Sequence, residues 1–336
     1  MRRFCWFMNC RLGVVARIAN WIPWSLVLIL YGQPILLSPS GLQETQYRLG
    51  VDVDLVNVRV TVLDESGTYV RGLKVDDFQI LEDGRAQEIA FFSQDQRSPI
   101  SIGVVIDNSG SEQHKLQQAL QTVREIATTL SGGDEMFIIT FNSVAQIRQK
   151  FTSDPQQILR SLENIKSKGE TAVHDAIAVG LREIQSASNQ KKVLLLITDG
   201  FDTKSKITAL ETEQLLRESE VLAYAIGIDN NPNARQRVRH GTYYYMLNKW
   251  AAATGGRVIR LVADESHDAG NIAQLLLEEL RRQYTLSYYT TASPENTGWR
   301  NIELRLSRPG ARMRYRPGYF VAARGDASGQ NVSKKP

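Results

Sequence analysis

Three short stretches of this chain place oxygen-bearing side chains where they can hold a cation. Residues 104–111 read VVIDNSGS, an apolar run that ends on Asp107, Ser109 and Ser111. Carboxylate and hydroxyl oxygens at alternate positions of a tight turn suit a hard divalent cation, which prefers oxygen and tolerates waters in its remaining positions. Residues 191–198, KKVLLLIT, form a second apolar run and deliver Asp199 and Gly200 at its end. Between the two, residues 168–176 (KGETAVHDA) set Thr171 on a glycine-containing loop just ahead of a helical pattern. Asp and Ser are ordinary turn formers whose side chains cap nearby amides, so any one of these stretches alone means little. Their combination points to a shared cation.

The fold has to bring these stretches together. Both apolar runs have the unbroken hydrophobicity of strands covered on two faces. In an open α/β sheet ligands bind at the carboxyl ends of such strands, so Asp107 and Asp199 are expected on one sheet edge. Residues 99–284 alternate strand and helix patterns, as a doubly wound sheet does. The stretch 113–130 carries Leu116, Leu120, Val123 and Ile126 on one stripe of a helix. Asp154-Pro155 reads as a helix cap followed by its first residue. Further helices are expected near 171–184, 208–218, 243–254 and 269–282. Strands are expected at 136–141, 221–228 and 257–262, with an edge strand at 145–151.

Asp107-Asn-Ser-Gly-Ser, then Gly169-x-Thr171-x-x-x-Asp175-Ala176, then Ile197-Thr-Asp-Gly, in this order, resemble the von Willebrand factor type A domain with a complete metal-ion-dependent adhesion site. The resemblance covers roughly residues 98–284. It implies a Rossmann-like, mostly parallel six-stranded sheet flanked by helices, with a single antiparallel edge strand. It also implies that Asp107, Ser109, Ser111, Thr171 and Asp199 surround one divalent cation, Mg²⁺ or else Mn²⁺ or Ca²⁺. Hydroxyl ligands are neutral, so two carboxylates are the protein's only negative charges there, and an Asp or Glu of a protein partner can complete the sphere. Glu112, His174, Phe201 and Asp202 are expected on the partner-binding rim. The alternative is a hydrolase in which the same cation activates water; it needs a general base nearby, for which His174 and Glu170 are the candidates.

The flanks have a different character. Residues 45–98 alternate Val and Leu with polar residues, and Glu82-Asp-Gly-Arg is a hairpin signal. Residues 285–322 return to a β pattern but are too few to bury a core alone, so they are expected to pair with 45–98 as a β-sandwich. The polar stretch 323–336 reads as a disordered tail. This arrangement is also similar to a subfamily of exported bacterial proteins known from acidobacterial genomes. Residues 1–40 combine four arginines with the apolar run 21–37, the pattern of a signal peptide cleaved near Ser40. An uncleaved anchor is the other reading, and only then is a membrane contact expected. Export is expected on either reading.

Those four arginines account for the whole net charge of +4, which leaves no basic surface to suggest nucleic acid. The two cysteines, Cys5 and Cys10, sit in the same segment, so no disulfide is expected after it. No Gly-x-Ser-x-Gly elbow occurs, and Ser131-Gly-Gly is followed by Asp134, which would repel phosphate. His114, His240 and His267 have no metal-ligand spacing, and Tyr243–Tyr245 with Trp250 read as a helix start packed on the sheet.

Overall fold

A computed structural model of the chain describes residues 54–94, 98–110, 113–198, 202–229, 242–262, 268–292 and 297–321. The leader or anchor at 1–40 and the tail at 323–336 lie outside the described residues. The described chain opens with β1 (Leu55–Leu63), β2 (Phe78–Glu82), β3 (Arg85–Gln87) and β4 (Ile89–Ser93). In β1 the buried residues Val56, Val58, Val60 and Val62 alternate with Asn57, Arg59 and Thr61, the period that points successive side chains to opposite faces. Asp83 (φ 48°) and Gly84 (φ 79°) turn β2 into β3, the two positive φ angles that a tight hairpin of this kind demands.

The central layer follows. β5 (Ile100–Asp107), β6 (Glu135–Phe141), β7 (Ala145–Thr152), β8 (Lys191–Thr198), β9 (Leu222–Asp229) and β10 (Val258–Val262) form one sheet in the order β10-β9-β8-β5-β6-β7. Every pairing is parallel except β6 with β7, so the expected antiparallel edge is present. All residues of β5 and β6 are buried, because helices cover both faces. On one face lie α1 (Gln113–Thr129), α2 (Pro155–Ser161) and the last helix, α6 (Asp268–Arg281), which contribute Leu120, Ile158 and Leu276 to the core. On the other lie α3 (Val173–Glu183), α4 (Ala209–Glu218) and α5 (Thr242–Thr254), with Ile177, Leu216 and Trp250. Tyr243 and Trp250 pack inward, and Tyr245 is 67% exposed. Asp154 caps α2, accepting from the Gln156 amide at 2.8 Å, with Pro155 at the first helical position.

The described chain closes with β11 (Tyr284–Tyr289), β12 (Gly298–Leu306), β13 (Arg312–Arg314) and β14 (Gly318–Val321). β11 lies between β1 and β4, and β12 between β14 and β2, so strands from both ends of the described chain make two four-stranded sheets. Val58, Val60, Ile80, Leu286 and Ile302 fill the space between them.

Buried charge ties these sheets to the central layer. Glu279 of α6, 1% exposed, accepts from Tyr224 Oη of β9 at 2.6 Å and from Tyr69 Oη at 3.2 Å. Arg257, just before β10, pairs with it at 2.6 Å, and Arg314 of β13 pairs with its other oxygen. Among the described residues no helix is long and apolar enough to cross a membrane.

Candidate metal centre

β5 is where the sheet reverses its winding: the chain leaves it for β6 on one side and returns to β8 on the other. A crevice therefore opens at the carboxyl ends of β5 and β8. Asp107 closes β5 and is 8% exposed. Its Oδ1 accepts from the Ser109 amide at 2.9 Å, and its Oδ2 accepts from the Thr198 hydroxyl, at the end of β8, at 2.6 Å. A carboxylate this deep is costly unless its oxygens are satisfied, and both are held in fixed directions by neutral donors.

The turn after Asp107 is stitched to the loop that carries Thr171. The Asn108 amide donates to Phe141 O at 2.8 Å, the Lys168 amide donates to Asn108 O at 2.9 Å, and the Gly110 amide donates to Gly169 O at 2.8 Å. Asn108 Nδ2 donates to Lys166 O at 2.9 Å, and Ser167 Oγ donates to Ser109 O. Glycine is required where these loops touch: a Cβ on Gly110 would stand 3.0 Å from the Gly169 carbonyl oxygen, and Gly169 itself has φ +81°.

Thr171 is clasped from a third side. Its amide donates to Thr203 Oγ1 at 3.0 Å, and its carbonyl accepts from the amides of Thr203 and Lys204 at 2.8 and 3.1 Å. The amides at the start of α3 that lack intrahelical partners, and that no side chain of its own N-cap Ala172 can satisfy, are taken by neighbouring loops. Ala172 donates to Asn142 O at 2.8 Å, Val173 to Asp202 Oδ1 at 2.9 Å, and Asp175 to Ser205 Oγ at 3.1 Å. Asp107, Ser109 and Thr171 thus sit on bonded neighbouring loops at one sheet edge, each less than a tenth exposed. Ser111, Glu112, Asp199 and Phe201 lie outside the described residues.

Two residues expected on the rim are engaged by other groups. His174 is 5% exposed, because its position in the first turn of α3 turns the ring edge-on against Trp250 of α5, with centroids 5.2 Å apart. Asp202 spends its carboxylate on Val173 and Ser205 and stands 4.0 Å from His174 Nε2, so it works as a cap. Glu170 is on the surface, paired with Lys204 at 3.1 Å. Thr198, Asn108 and Thr203 were not singled out from sequence. A polar residue closing an otherwise apolar strand, as Thr198 does, is the signal that marks the first of them.

Burial pushes the His174 pKa below its ordinary 6.5, against weaker upward pulls from Asp202 and Asp175. The unfolded chain therefore takes a proton more readily, and the associated stability is complete above pH about 6.5 and lost as pH falls toward the folded value. Urea midpoints should accordingly drop more between pH about 7.5 and about 5.5 for the native chain than for His174→Gln. Equal drops would refute this role.

Among the described residues no group of three or more His, Cys, Asp and Glu is placed to hold a metal ion. What the edge offers is one buried carboxylate and hydroxyls, an oxygen set that fits Mg²⁺, Mn²⁺ or Ca²⁺ and disfavours soft metals.

Residues 102–201 match the family model of the von Willebrand factor type A domain. An uncharacterized protein of Synechocystis sp. is 27% identical over 113 residues, which are 32% of this chain and 26% of the relative; the chain spans about a quarter of that protein's length. Among solved structures, one titled von Willebrand factor type A from Catenulispora acidiphila is 12% identical, covering 81% of this chain and 74% of that one with a TM-score of 0.47. BatB from Bacteroides thetaiotaomicron is 18% identical over 54% of this chain and 98% of its own, with a TM-score of 0.43. Proximal thread matrix protein 1 from the mussel byssus, with a zinc-occupied MIDAS motif, is 17% identical over 59% and 49%, with a TM-score of 0.46.

Proposed function

We propose that this chain is an exported, metal-dependent protein-binding module, in which Asp107, Ser109, Ser111, Thr171 and Asp199 hold a divalent cation that captures an Asp or Glu of a protein partner. The observation that carries this reading is the bonding of the Asp107 turn to the 166–169 loop and of Thr171 to the 203–204 backbone. Such bonds hold the oxygen donors in place before any cation arrives, so little ordering cost falls on binding. When bound, the cation supplies a localised positive charge that favours an anionic ligand.

The residues around it set direction and selectivity. Thr198 and the Ser109 amide orient the Asp107 carboxylate, and Thr203 holds the Thr171 backbone. The hydrolase alternative is less well supported. Of its two candidate bases, His174 is buried against Trp250 and Glu170 is on the surface, engaged with Lys204.

The test is a pull-down from the extracytoplasmic fraction of the native cell, using the full chain and Asp107→Ala, each in Mg²⁺ and in chelator. A partner retained only by the native chain in Mg²⁺, and lost when one partner Asp or Glu is changed to Ala, supports capture through the cation. Retention that ignores chelator overturns it. So does phosphatase or esterase turnover that Mg²⁺ stimulates and His174→Ala abolishes.

A further inference from the structure

Lysines gather on the two loops that hold the candidate ligands in place. Lys166, Lys168, Lys204 and Lys206 are all exposed. The Lys168 amide donates to Asn108 O at 2.9 Å, and Lys166 O accepts from Asn108 Nδ2 at 2.9 Å, so both lie beside the turn of Asp107 and Ser109. The Lys204 amide donates to Thr171 O at 3.1 Å, and the Lys206 amide donates to Asp175 Oδ1 at 3.0 Å in the first turn of α3. Backbone bonds therefore fix where the four side chains start. Each then carries a compact charge on a long flexible stem, which suits anions at varied spacing.

The acids nearby do little to screen this charge from a molecule arriving out of solvent. Glu170 pairs with Lys204 at 3.1 Å, but both side chains are more than half exposed, and such a pair is weak in water. Asp202, its side chain 18% exposed, accepts from the amides of Val173 and Ser205 at 2.9 and 3.2 Å. Asp175, half-buried, accepts from the amides of Lys206 and Ile207 at 3.0 and 3.2 Å. Among the described residues no carboxylate pairs with Lys166, Lys168 or Lys206.

Ammonium groups beside a cation site repel the cation, so they do not help it bind. What they favour is the ligand that follows it, and they favour it more the more negative charge it carries.

We propose that the partner segment is acidic beyond the one residue the cation takes. The captured Asp or Glu has further Asp or Glu within a few positions, and these meet Lys166 and Lys168 beside the Asp107 turn and Lys204 and Lys206 beside Thr171. This rests on the reading of the edge as a site of metal-dependent capture, and adds what selects the partner.

The test is fluorescence anisotropy of two labelled synthetic peptides of equal length, titrated with the full chain in Mg²⁺ at low ionic strength. One peptide has a single Glu among Ser and Gly residues; in the other that Glu is flanked by Glu on both sides. The acidic peptide should bind at least about tenfold more tightly, at about twofold per lysine, and the advantage should shrink in high salt. Changing all four lysines to Gln should bring the two peptides within about twofold of each other. Glu170→Gln, which releases Lys204, should tighten the acidic peptide. The lysines are exposed, so the quadruple variant should fold and bind Mg²⁺ at least as tightly as the native chain, a result that damage to the site would not give.

Equal affinities of the two peptides, or an advantage unchanged in the quadruple variant, overturns the inference without touching the metal reading. So does the absence of acidic-peptide binding up to about 1 mM chain, or tighter binding of a thymidine oligonucleotide of equal charge. Acidic-peptide binding that survives chelator and Asp107→Ala instead overturns the metal reading, and with it the capture step on which the inference is built.

Discussion

Asp107→Ala should lower the affinity of the chain for Mg²⁺ or Mn²⁺ by at least about 100-fold, because even an outer-shell partner of a metal ligand is worth about 10–100-fold. The size of the effect follows from the charge count. Of the five proposed ligands only Asp107 and Asp199 are anionic, so the substitution removes half of the protein's negative charge at the cation. Thr198→Val is the graded companion. It deletes only the hydroxyl that donates to Asp107 Oδ2 at 2.6 Å, and should cost about tenfold. Thermal unfolding with and without excess metal gives a second readout, since a ligand that binds only the folded state raises the melting temperature by mass action. The native chain should gain stability with metal and Asp107→Ala should gain none. Equal gains in both proteins would remove Asp107 from the site and with it the proposed function.

The second large effect is on stability and lies far from the metal centre. Glu279→Leu should destabilise the fold by about 3–5 kcal/mol, the usual result of stripping one partner from a buried ion pair. The carboxylate, 1% exposed, is the anion that Arg257 and Arg314, both only partly buried, share. Without it two guanidiniums face each other with no anion between them, and the hydroxyls of Tyr224 and Tyr69 lose their acceptor. Glu279→Gln, which keeps the shape and one acceptor oxygen, should cost less. Replacing both arginines by Met in the Glu279→Leu background should recover much of the loss, because the cost comes from uncompensated charge and not from lost volume. The phenol of Tyr69, raised to about 12 by burial first and by Glu279 second, should titrate lower in Glu279→Leu. A loss below about 1 kcal/mol in urea unfolding would show that the cluster is open to water.

Much of the architecture was legible because local rules and tertiary packing agree. The unbroken apolar runs at 100–107 and 191–198 are buried strands at the centre of the sheet, as two-sided covering requires. Asp154-Pro155 opens a helix and Asp83-Gly84 turns a hairpin, since each depends on a preference of one or two residues. Sequence spacing likewise marked the loops of Asp107, Ser109 and Thr171.

What was not legible is the use each polar side chain is put to. Asp202, expected on the partner-binding rim, also caps α3, a helix whose own N-cap is Ala172 and has nothing to offer. His174 looked like a rim residue, yet the ring of Trp250, 76 positions later, covers it. Glu279 gave no sign in sequence, because its partners at positions 69, 224, 257 and 314 come from four distant segments.

The sequence by itself determined the winding of the sheet and the residue types that its carboxyl edge would present. Periodicity and turn chemistry are short-range properties, written within a few residues of the elements they specify. The tertiary structure alone decided which polar groups are spent on holding loops, which are sealed under an aromatic ring, and which remain for ligands. Those outcomes depend on burial and on hydrogen bonds between segments well separated along the chain, and no local pattern encodes them.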